Sequence, residues 1–201
     1  MVRVYIAKFT EEKADHSRQS RRAHRLLETV LERDYPQVRA PFLLEKDENG
    51  KPFLSECRDI YVNLSHSGPY AACAVGDGPV GVDVEAWRNR SRWEGIIKKL
   101  HPGEREDLWK TGEAEREKQF VNLWVLKESF LKAEGKGLRL PLDSFYMEGK
   151  IGTAGMVRQE RPGPPYHYFL YDMGEEACSL AVCSRDPELS RDPVWVLLPE
   201  E

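Results

Sequence analysis

One helix constrains the fold of this 201-residue chain more than any other stretch. Phe120, Trp124 and Leu131 share one stripe of a helical wheel, and Gly135 follows the last turn, as is typical of a helix C-terminus. The stripe predicts that this face packs against other elements. Glu128 falls on the same stripe, where an unpaired buried charge would neutralise itself or cost several kcal/mol.

Three explanations of Glu128 stay open from the helix alone. Lys132 lies one turn further on, where it can pair with Glu128 as an i, i+4 ion pair. A metal ion can hold the carboxylate instead, or the end of the helix can be more exposed than the stripe indicates. The ion pair is the default among the three.

Two more carboxylates lie on a predicted strand. Asp83 and Glu85 share one face of it, because alternation turns the neighbouring valines to the other face. Carboxylates at this spacing repel each other unless water or a cation offsets their charge. If Glu128 joins them, three oxygen ligands of the kind that Mg²⁺ prefers come together.

The remaining pattern predicts an α+β protein. We expect two similar halves in a pseudo-twofold arrangement, each a small antiparallel sheet packed with a long helix, because the paired strands near 166–183 resemble those near 60–75. The N-terminal half would span 1–80 and the C-terminal half 81–201, as one compact unit, with a loop at 152–165. Strand-like patterns cover 2–9, 60–75 (two strands), 79–85, 144–148, 166–171, 177–184 and 194–198, and a further helical pattern covers 15–33.

Several cationic and polar groups have two interpretations each. The helix at 15–33 carries a basic face that is either a solvated surface or an anion site. Lys51 projects from an Asn-Gly turn and, taken alone, is an ordinary surface lysine. His66 lies beside two serines and a glycine, which together can offer several donors to a phosphate. The basic face consists of Arg18, Arg21, Arg22, His24 and Arg25.

Composition excludes some classes of function. A net charge of −4, from 30 basic and 34 acidic residues, argues against a general nucleic-acid binder. No run approaches the roughly 18 apolar residues of a membrane span, and the N-terminus does not resemble a signal peptide, so we expect a cytoplasmic protein. The four cysteines lack CxxC spacing and are expected to be small buried hydrophobes.

Four motifs, taken together and in order, resemble the 4′-phosphopantetheinyl transferases, and specifically their Sfp-type branch. The resemblance runs from about Arg18 to about Ser184, and the order and spacing of the motifs make it specific, although any one motif alone is weak. The motifs are Gly50-Lys51-Pro52, Asn63-Leu64-Ser65-His66-Ser67-Gly68, Gly81-Val82-Asp83-Val84-Glu85, and Trp124-x-x-Lys127-Glu128-x-x-x-Lys132-x-x-Gly135-x-Gly137.

The resemblance implies an enzyme that moves 4′-phosphopantetheine from coenzyme A to a serine of an acyl or peptidyl carrier protein and releases adenosine 3′,5′-bisphosphate. Mg²⁺ is the implied cofactor and coenzyme A the substrate. Glu128, or a metal-bound water that it orients, would remove the serine proton, with Glu104 as a second candidate. The implied metal ligands are Asp83, Glu85 and Glu128; the implied catalytic residues are Glu128, Lys132 and Glu104; the implied coenzyme A ligands are Lys51, Pro52, Ser65, His66, Lys132, Arg22 and Arg25.

The segment 87–99 would face the carrier protein by its position between the two halves. Arg88, Arg90 and Arg92 suit the acidic helix that is typical of carriers, although a plain loop leading into an amphipathic helix fits the pattern equally well. Two fused halves would place the cleft within one chain, so we expect a monomer. We expect no nucleic-acid or membrane partner.

Two other classes of function compete with the transferase. A non-catalytic module that binds coenzyme A or carrier proteins would not need every metal ligand and Lys132, all of which are present. A structural protein with a simple Glu128–Lys132 pair would explain the helix but not Asp83, Glu85 or the serine and histidine turn. Transfer of phosphopantetheine to an apo carrier discriminates among the three.

Overall fold

The computed structural model describes residues 1–11, 14–87 and 93–199 and confirms the predicted α+β class. The helices are α1 (His16–Asp34), α2 (Trp93–Ile97), α3 (Pro102–Lys110) and α4 (Glu113–Glu134), with 3₁₀ turns at Gly137–Arg139 and Leu142–Ser144. The strands are β1 (Arg3–Lys8), β2 (Leu44–Lys46), β3 (Pro52–Leu54), β4 (Tyr61–Ser67), β5 (Tyr70–Gly76), β6 (Val80–Ala86), β7 (Phe145–Tyr146), β8 (Thr153–Met156), β9 (Arg158–Gln159), β10 (His167–Leu170), β11 (Cys178–Ser184) and β12 (Val194–Trp195).

Two four-stranded sheets carry the two long helices. The first sheet has the order β12-β1-β5-β4, in which only β12 is parallel to its neighbour, and α1 packs against it. The second sheet is antiparallel throughout, with the order β6-β11-β10-β8, and α4 packs against it. The twofold relation between the halves and their division after residue 80 stay predictions.

Apolar side chains of both sheets meet in a shared core. Val4 and Ile6 of β1 pack in one cluster with Val82 and Val84 of β6, and all four are buried. The valine face of β6 therefore points to the first sheet. Asp83 and Glu85 consequently point to the other face, which α4 covers.

Helix α1 begins and packs as its sequence predicts. Asp15 is the N-cap, and its carboxylate accepts a hydrogen bond from the backbone N–H of Arg18 at 2.9 Å. Leu27 and Leu31 are fully buried against the first sheet. Val196, just after β12, joins the same cluster, so the C-terminal strand returns to the N-terminal sheet.

Helix α4 is buried on more than the predicted stripe. One side packs on β6 and β11, while Phe130 contacts the rings of Phe145 and Tyr166 on another. The helix ends at Gly135, whose φ of 76° is the left-handed conformation that glycine adopts without strain. The predicted C-terminus is thus confirmed.

The predicted loop at 152–165 is wrong in its first half. Strand β8 pairs with β10, and β9 pairs with β7. The glycines of this segment led to the loop prediction, although β8 is an edge strand. A Cβ on Gly155 would overlap the ring of Tyr168, so this glycine permits close packing within the sheet. A high glycine content therefore does not indicate a loop where a glycine is needed for close packing inside a sheet.

The cysteines match their prediction. All four are free thiols; Cys73, Cys178 and Cys183 are buried, and Cys57 is half-buried. Burial raises the pKa of the Cys73 thiol, with only Arg33 acting in the other direction, so this thiol stays protonated at neutral pH. No helix within the described ranges is long and apolar enough to cross a membrane.

Candidate active site

The site lies where an edge of one sheet meets an edge of the other. Strands β4 and β6 lie side by side, but across the described part of the chain no backbone ladder joins them. Side chains of β4, at every second residue, accept the backbone N–H groups of β6 instead. The three pairs are Asn63 with Val82 (2.9 Å), Ser65 with Val84 (3.3 Å) and Ser67 with Ala86 (3.1 Å).

The two serines also hold the two strand carboxylates. Ser65 Oγ donates to Asp83 Oδ1 at 2.8 Å, and Ser67 Oγ donates to Glu85 Oε2 at 2.7 Å. A hydroxyl has one proton to donate, and a backbone N–H already occupies part of its acceptor capacity. Each serine proton is therefore directed to the carboxylate.

Lys132 reaches this site from α4. Its Nζ lies 2.7 Å from Asp83 Oδ1, 3.0 Å from Ser65 Oγ and 3.0 Å from the carbonyl oxygen of Val82. The ion pair of Lys132 is therefore with Asp83. The default sequence interpretation, a pair with Glu128, is not what the structure contains.

Glu128 is a half-buried carboxylate beside the other two. It makes no hydrogen bond or ion pair with any residue in the described ranges. Burial raises the pKa of Glu128 to about 7; the negative charges of Asp83 and Glu85 act in the same direction, and Lys132 opposes them. The negative charges of Asp83 and Glu85 therefore act directly on Glu128.

Gly81 brings α4 close enough for this arrangement. A Cβ at Gly81 would collide with the backbone of Ser129 and Ala133, and would lie 2.9 Å from Lys132 Cβ. The helix therefore rests directly on the backbone of β6, which brings Glu128 and Lys132 to the carboxylates of that strand.

The donor set fits a hard divalent cation. Asp83 Oδ2 is buried and has no hydrogen-bond partner among the described residues, a costly arrangement for a carboxylate oxygen unless a cation or donor takes it up. As the side chains stand, no three His, Cys, Asp or Glu residues of the described chain are grouped closely enough to hold an ion. Mg²⁺ usually keeps several waters and uses one or two carboxylates plus substrate phosphates, so a closed cage is not required.

His66 alternates with the serines and faces α1. Its Nδ1 lies 3.3 Å from Gln19 Oε1, and its ring meets the ring of His16 edge-on at 4.9 Å between centroids. Burial lowers the pKa of His66, and the nearby His16 and Lys132 lower it further, which favours the neutral ring.

Lys51 crosses to the end of α4 and is not an ordinary surface lysine. Its Nζ donates to the carbonyl oxygen of Ala133 at 2.7 Å, and Pro52 beside it opens β3. Burial lowers the pKa of Lys51 to about 8. The Lys51 ammonium group therefore lies at the negative, C-terminal end of the α4 dipole. The residue that it contacts, Ala133, directly follows Lys132.

Comparison with known proteins identifies the family. The profile described as "ACPS: 4'-phosphopantetheinyl transferase superfamily" matches residues 79–183, which include β6, α4 and all but the last residue of β11. This chain belongs to the 4′-phosphopantetheinyl transferase superfamily. The Sfp-type resemblance is confirmed by relatives that are similar over most of the chain.

Three relatives from Bacillus subtilis illustrate the similarity. The chain is 33% identical over 173 residues to "4'-phosphopantetheinyl transferase Sfp" of strain 168, which covers 85% of this chain and 75% of the relative. It is 36% identical over 166 residues to a second 4'-phosphopantetheinyl transferase, covering 81% and 72%. It is 33% identical over 170 residues to "4'-phosphopantetheinyl transferase ffp", covering 83% and 74%.

Glu104 lies apart from the carboxylate site of this transferase. It forms a buried ion pair with Lys127 at 2.7 Å, and the two side chains are 1% and 0% exposed. Backbone N–H groups of His101 and Met147 also donate to the Glu104 carboxylate. No hydrogen bond joins this carboxylate to the site of Glu128 within the described residues, and its role as a base stays a prediction.

Lys127 anchors α4 on the loop that precedes β7. Its Nζ donates to the carbonyl oxygens of Leu142 and Phe145, both at 2.7 Å. Burial lowers the pKa of Lys127 to about 8 and raises that of Glu104, while each partner opposes the shift of the other. The sequence predicted no role for Lys127, which lies one residue before Glu128 but points to a different side of the helix.

The two arginines predicted to bind coenzyme A are already engaged. Arg22 is 2% exposed, contacts Glu11 Oε2 at 3.0 Å and stacks over the ring of Phe9 at 4.3 Å. Arg25 donates to the carbonyl oxygen of Pro199 at 3.0 Å. No hydrogen bond joins either arginine to Asp83, Glu85 or Glu128 in the described part of the chain, and their assignment stays a prediction.

The three arginines predicted to contact the carrier protein lie outside the described residues. They are Arg88, Arg90 and Arg92. No role was predicted for Asn63 and Ser67, which accept backbone N–H groups of β6, although polar residues at every second position of a predicted strand are a usable signal of a polar strand face.

Proposed function

We propose that this transferase moves 4′-phosphopantetheine from coenzyme A to the serine of an apo acyl or peptidyl carrier protein. The serine oxygen forms a bond to the phosphorus that carries the pantetheine arm. The bond from that phosphorus to the bridging oxygen of the pyrophosphate breaks, and adenosine 3′,5′-bisphosphate leaves with the electron pair. The serine proton passes to a base. Family membership and the grouping of Asp83 with Lys132 support the proposal.

The observation that carries the proposal is the buried, unpartnered Asp83 Oδ2 beside two further carboxylates. Asp83, Glu85 and Glu128 would hold Mg²⁺. When bound there, Mg²⁺ supplies Lewis acidity and neutralises charge on the pyrophosphate of coenzyme A. Carboxylate oxygens are the ligands that this ion takes in proteins.

Lys132 would bind the same phosphates as a point charge. Its Nζ already lies in the site, 2.7 Å from Asp83, and its side chain is 27% exposed. An ammonium group on a flexible stem can turn from the carboxylate to a phosphate oxygen without a change in the backbone. Lys132 would therefore offset negative charge on the leaving group.

Glu128 is our candidate for the proton acceptor. Glu128 would act either directly or through a metal-bound water that it orients, and its carboxylate makes no hydrogen bond or ion pair with any described residue. Glu104 is the weaker choice, because Lys127 and two backbone N–H groups engage its carboxylate.

Coenzyme A would lie between the two halves. Ser65 and His66 would contact it from β4, with His66 near the 3′-phosphate, and Lys51 would contact the nucleotide from the end of α4. The short distance from Lys51 Nζ to the α4 terminus supports this, because it brings a cation beside the helix that carries Lys132. Pro52, Arg22 and Arg25 are assigned to the same substrate as ligands by resemblance alone.

The carrier protein would dock beside the 87–99 segment. Charge reversal of Arg88, Arg90 and Arg92 to glutamate should raise the KM for the carrier and leave coenzyme A binding unchanged. An unchanged carrier KM would contradict this docking assignment. We further propose that the protein is a cytoplasmic monomer.

The test of the function is direct. Purified protein, coenzyme A, Mg²⁺ and an apo carrier are mixed, and mass spectrometry detects one phosphopantetheine on the carrier serine. Glu128→Gln should abolish most turnover, whereas Glu117→Gln, an exposed carboxylate of the same helix, should not change it. Coenzyme A binding without transfer to any of several carriers would instead identify a non-catalytic binding module.

A further inference from the structure

A repeated serine unit spans β4 and β6. In each copy, a serine hydroxyl accepts the backbone N–H of one β6 residue and donates to the carboxylate of the residue before it. The first copy is Ser65 with Asp83 and Val84, and the second is Ser67 with Glu85 and Ala86. Both strands advance by two residues between copies, so the unit repeats in register.

We infer that Ser67 is a positioning residue that sets the orientation of Glu85 for metal binding, an inference that rests on the proposed function. The Ser67–Glu85 hydrogen bond, at 2.7 Å, has the length of a charge-assisted bond. Ser67 is 6% exposed, so water does not compete freely for its hydroxyl. The hydrogen bond therefore holds Glu85 Oε2 at a fixed position beside β4.

The geometry separates this role from that of Ser65. Ser65 also accepts from Lys132 Nζ at 3.0 Å, and it is a proposed coenzyme A ligand, so its removal would disturb several interactions together. Ser67 contacts Glu85 and the backbone of β6, and no hydrogen bond joins it to Lys132 in the described chain. Ser67 therefore reports on carboxylate orientation more selectively.

Asn63 supplies a matched control from the same strand. It accepts the backbone N–H of Val82 at 2.9 Å, as Ser67 accepts that of Ala86, but its side-chain amide donates to no carboxylate among the described residues. Asn63 and Ser67 are 3% and 6% exposed. Replacing either side chain by alanine should therefore destabilise the packing of β4 against β6 to a similar extent. Of the two side chains, Ser67 is the one that donates a hydrogen bond to a proposed metal ligand.

The experiment measures Mn²⁺ affinity directly by the electron paramagnetic resonance signal of free Mn²⁺, with coenzyme A present. Partners that orient metal ligands typically contribute about 10- to 100-fold in affinity. Ser67→Ala should therefore weaken Mn²⁺ binding by about tenfold or more. Asn63→Ala should retain nearly wild-type Mn²⁺ affinity. It should lower the melting temperature about as much as Ser67→Ala does.

A conservative variant checks that the hydroxyl itself is responsible. Ser67→Thr keeps the hydroxyl and should restore Mn²⁺ affinity close to wild type; should the extra methyl group prevent folding, Ser67→Cys, a weak donor, should give an intermediate affinity. Equal affinities for Ser67→Ala and Asn63→Ala would overturn the inference while the proposed function stands. Absence of Mn²⁺ binding to the wild type would overturn the metal site and the inference together.

Discussion

A single methyl group at Gly81 should separate the two elements that form the active site. The Cβ of Gly81→Ala would point into the backbone of α4, at Ser129 and Ala133, and not into a flexible side chain that can move aside. To restore ordinary contacts of about 3.5 Å, α4 must retreat from β6 by roughly 1 to 1.5 Å. Glu128 and Lys132 travel with it, because they flank Ser129 on the same helix.

Two magnitudes follow from that displacement. Overpacking of a close-packed interior costs typically about 1–3 kcal/mol, and the upper part of this range applies because the colliding atoms are backbone. The smaller unfolded-state entropy of alanine returns about 0.4–1 kcal/mol at most. A misplacement of about 1 Å at reacting groups can reduce activity by about 100-fold.

The assay pairs urea unfolding with transfer of phosphopantetheine to an apo carrier. The control is Gly78→Ala, two residues before β6, where an added Cβ meets nothing within 4 Å. We expect the control to match the wild type in both measurements. Wild-type stability and turnover in Gly81→Ala would refute the argument that this glycine sets the distance between α4 and β6.

Three further predictions concern the buried ion pair, the metal and the thiols. Lys127→Met should lower the free energy of unfolding by about 3–5 kcal/mol, because it leaves the Glu104 carboxylate buried without its cation; the same change at Lys110, whose pair with Glu106 is exposed, should have a much smaller effect. Mg²⁺ at about 100 times its Kd should raise the free energy of unfolding by about 2.7 kcal/mol, and Asp83→Asn should abolish the increase. A thiol reagent should label Cys57 quickly in the native protein and the three buried cysteines only on unfolding.

Each of these has a contradicting result. Equal effects at Lys127 and Lys110 in urea unfolding would mean that the buried pair contributes no more than a surface one. A thermal or chemical denaturation curve that does not respond to Mg²⁺ would count against a metal site in the folded protein. Labelling of two or more thiols before unfolding, followed by mass spectrometry, would show that the cores are more open than the structure indicates.

The sequence predicted the elements of the site better than their contacts. Alternation placed Asp83 and Glu85 on one strand face, and helical spacing placed Glu128 and Lys132 one turn apart. Neither the strand alternation nor the helical spacing indicates which element packs against a given face. The pairing of Lys132 with Asp83 was therefore not predictable from the helix. That pairing depends on the approach of α4 to β6, which Gly81 permits.

Buried polar partners were the least predictable part. The ion pair of Glu104 with Lys127 joins residues 23 positions apart, and no local pattern connects them. The hydrogen bonds from β6 to Asn63 and Ser67 depend on two sheet edges meeting in space. Long-range geometry of this kind follows from the packing of the whole chain and not from the pattern of one segment.

A crystal grown with coenzyme A and Mn²⁺ would show where the metal binds. An anomalous difference map identifies Mn²⁺ without reference to activity. We predict one strong peak coordinated by carboxylate oxygens of Asp83, Glu85 and Glu128, with Lys132 turned from Asp83 to a phosphate of coenzyme A. A peak elsewhere, or no peak beside Asp83 in a crystal of active enzyme with coenzyme A bound, would contradict the account.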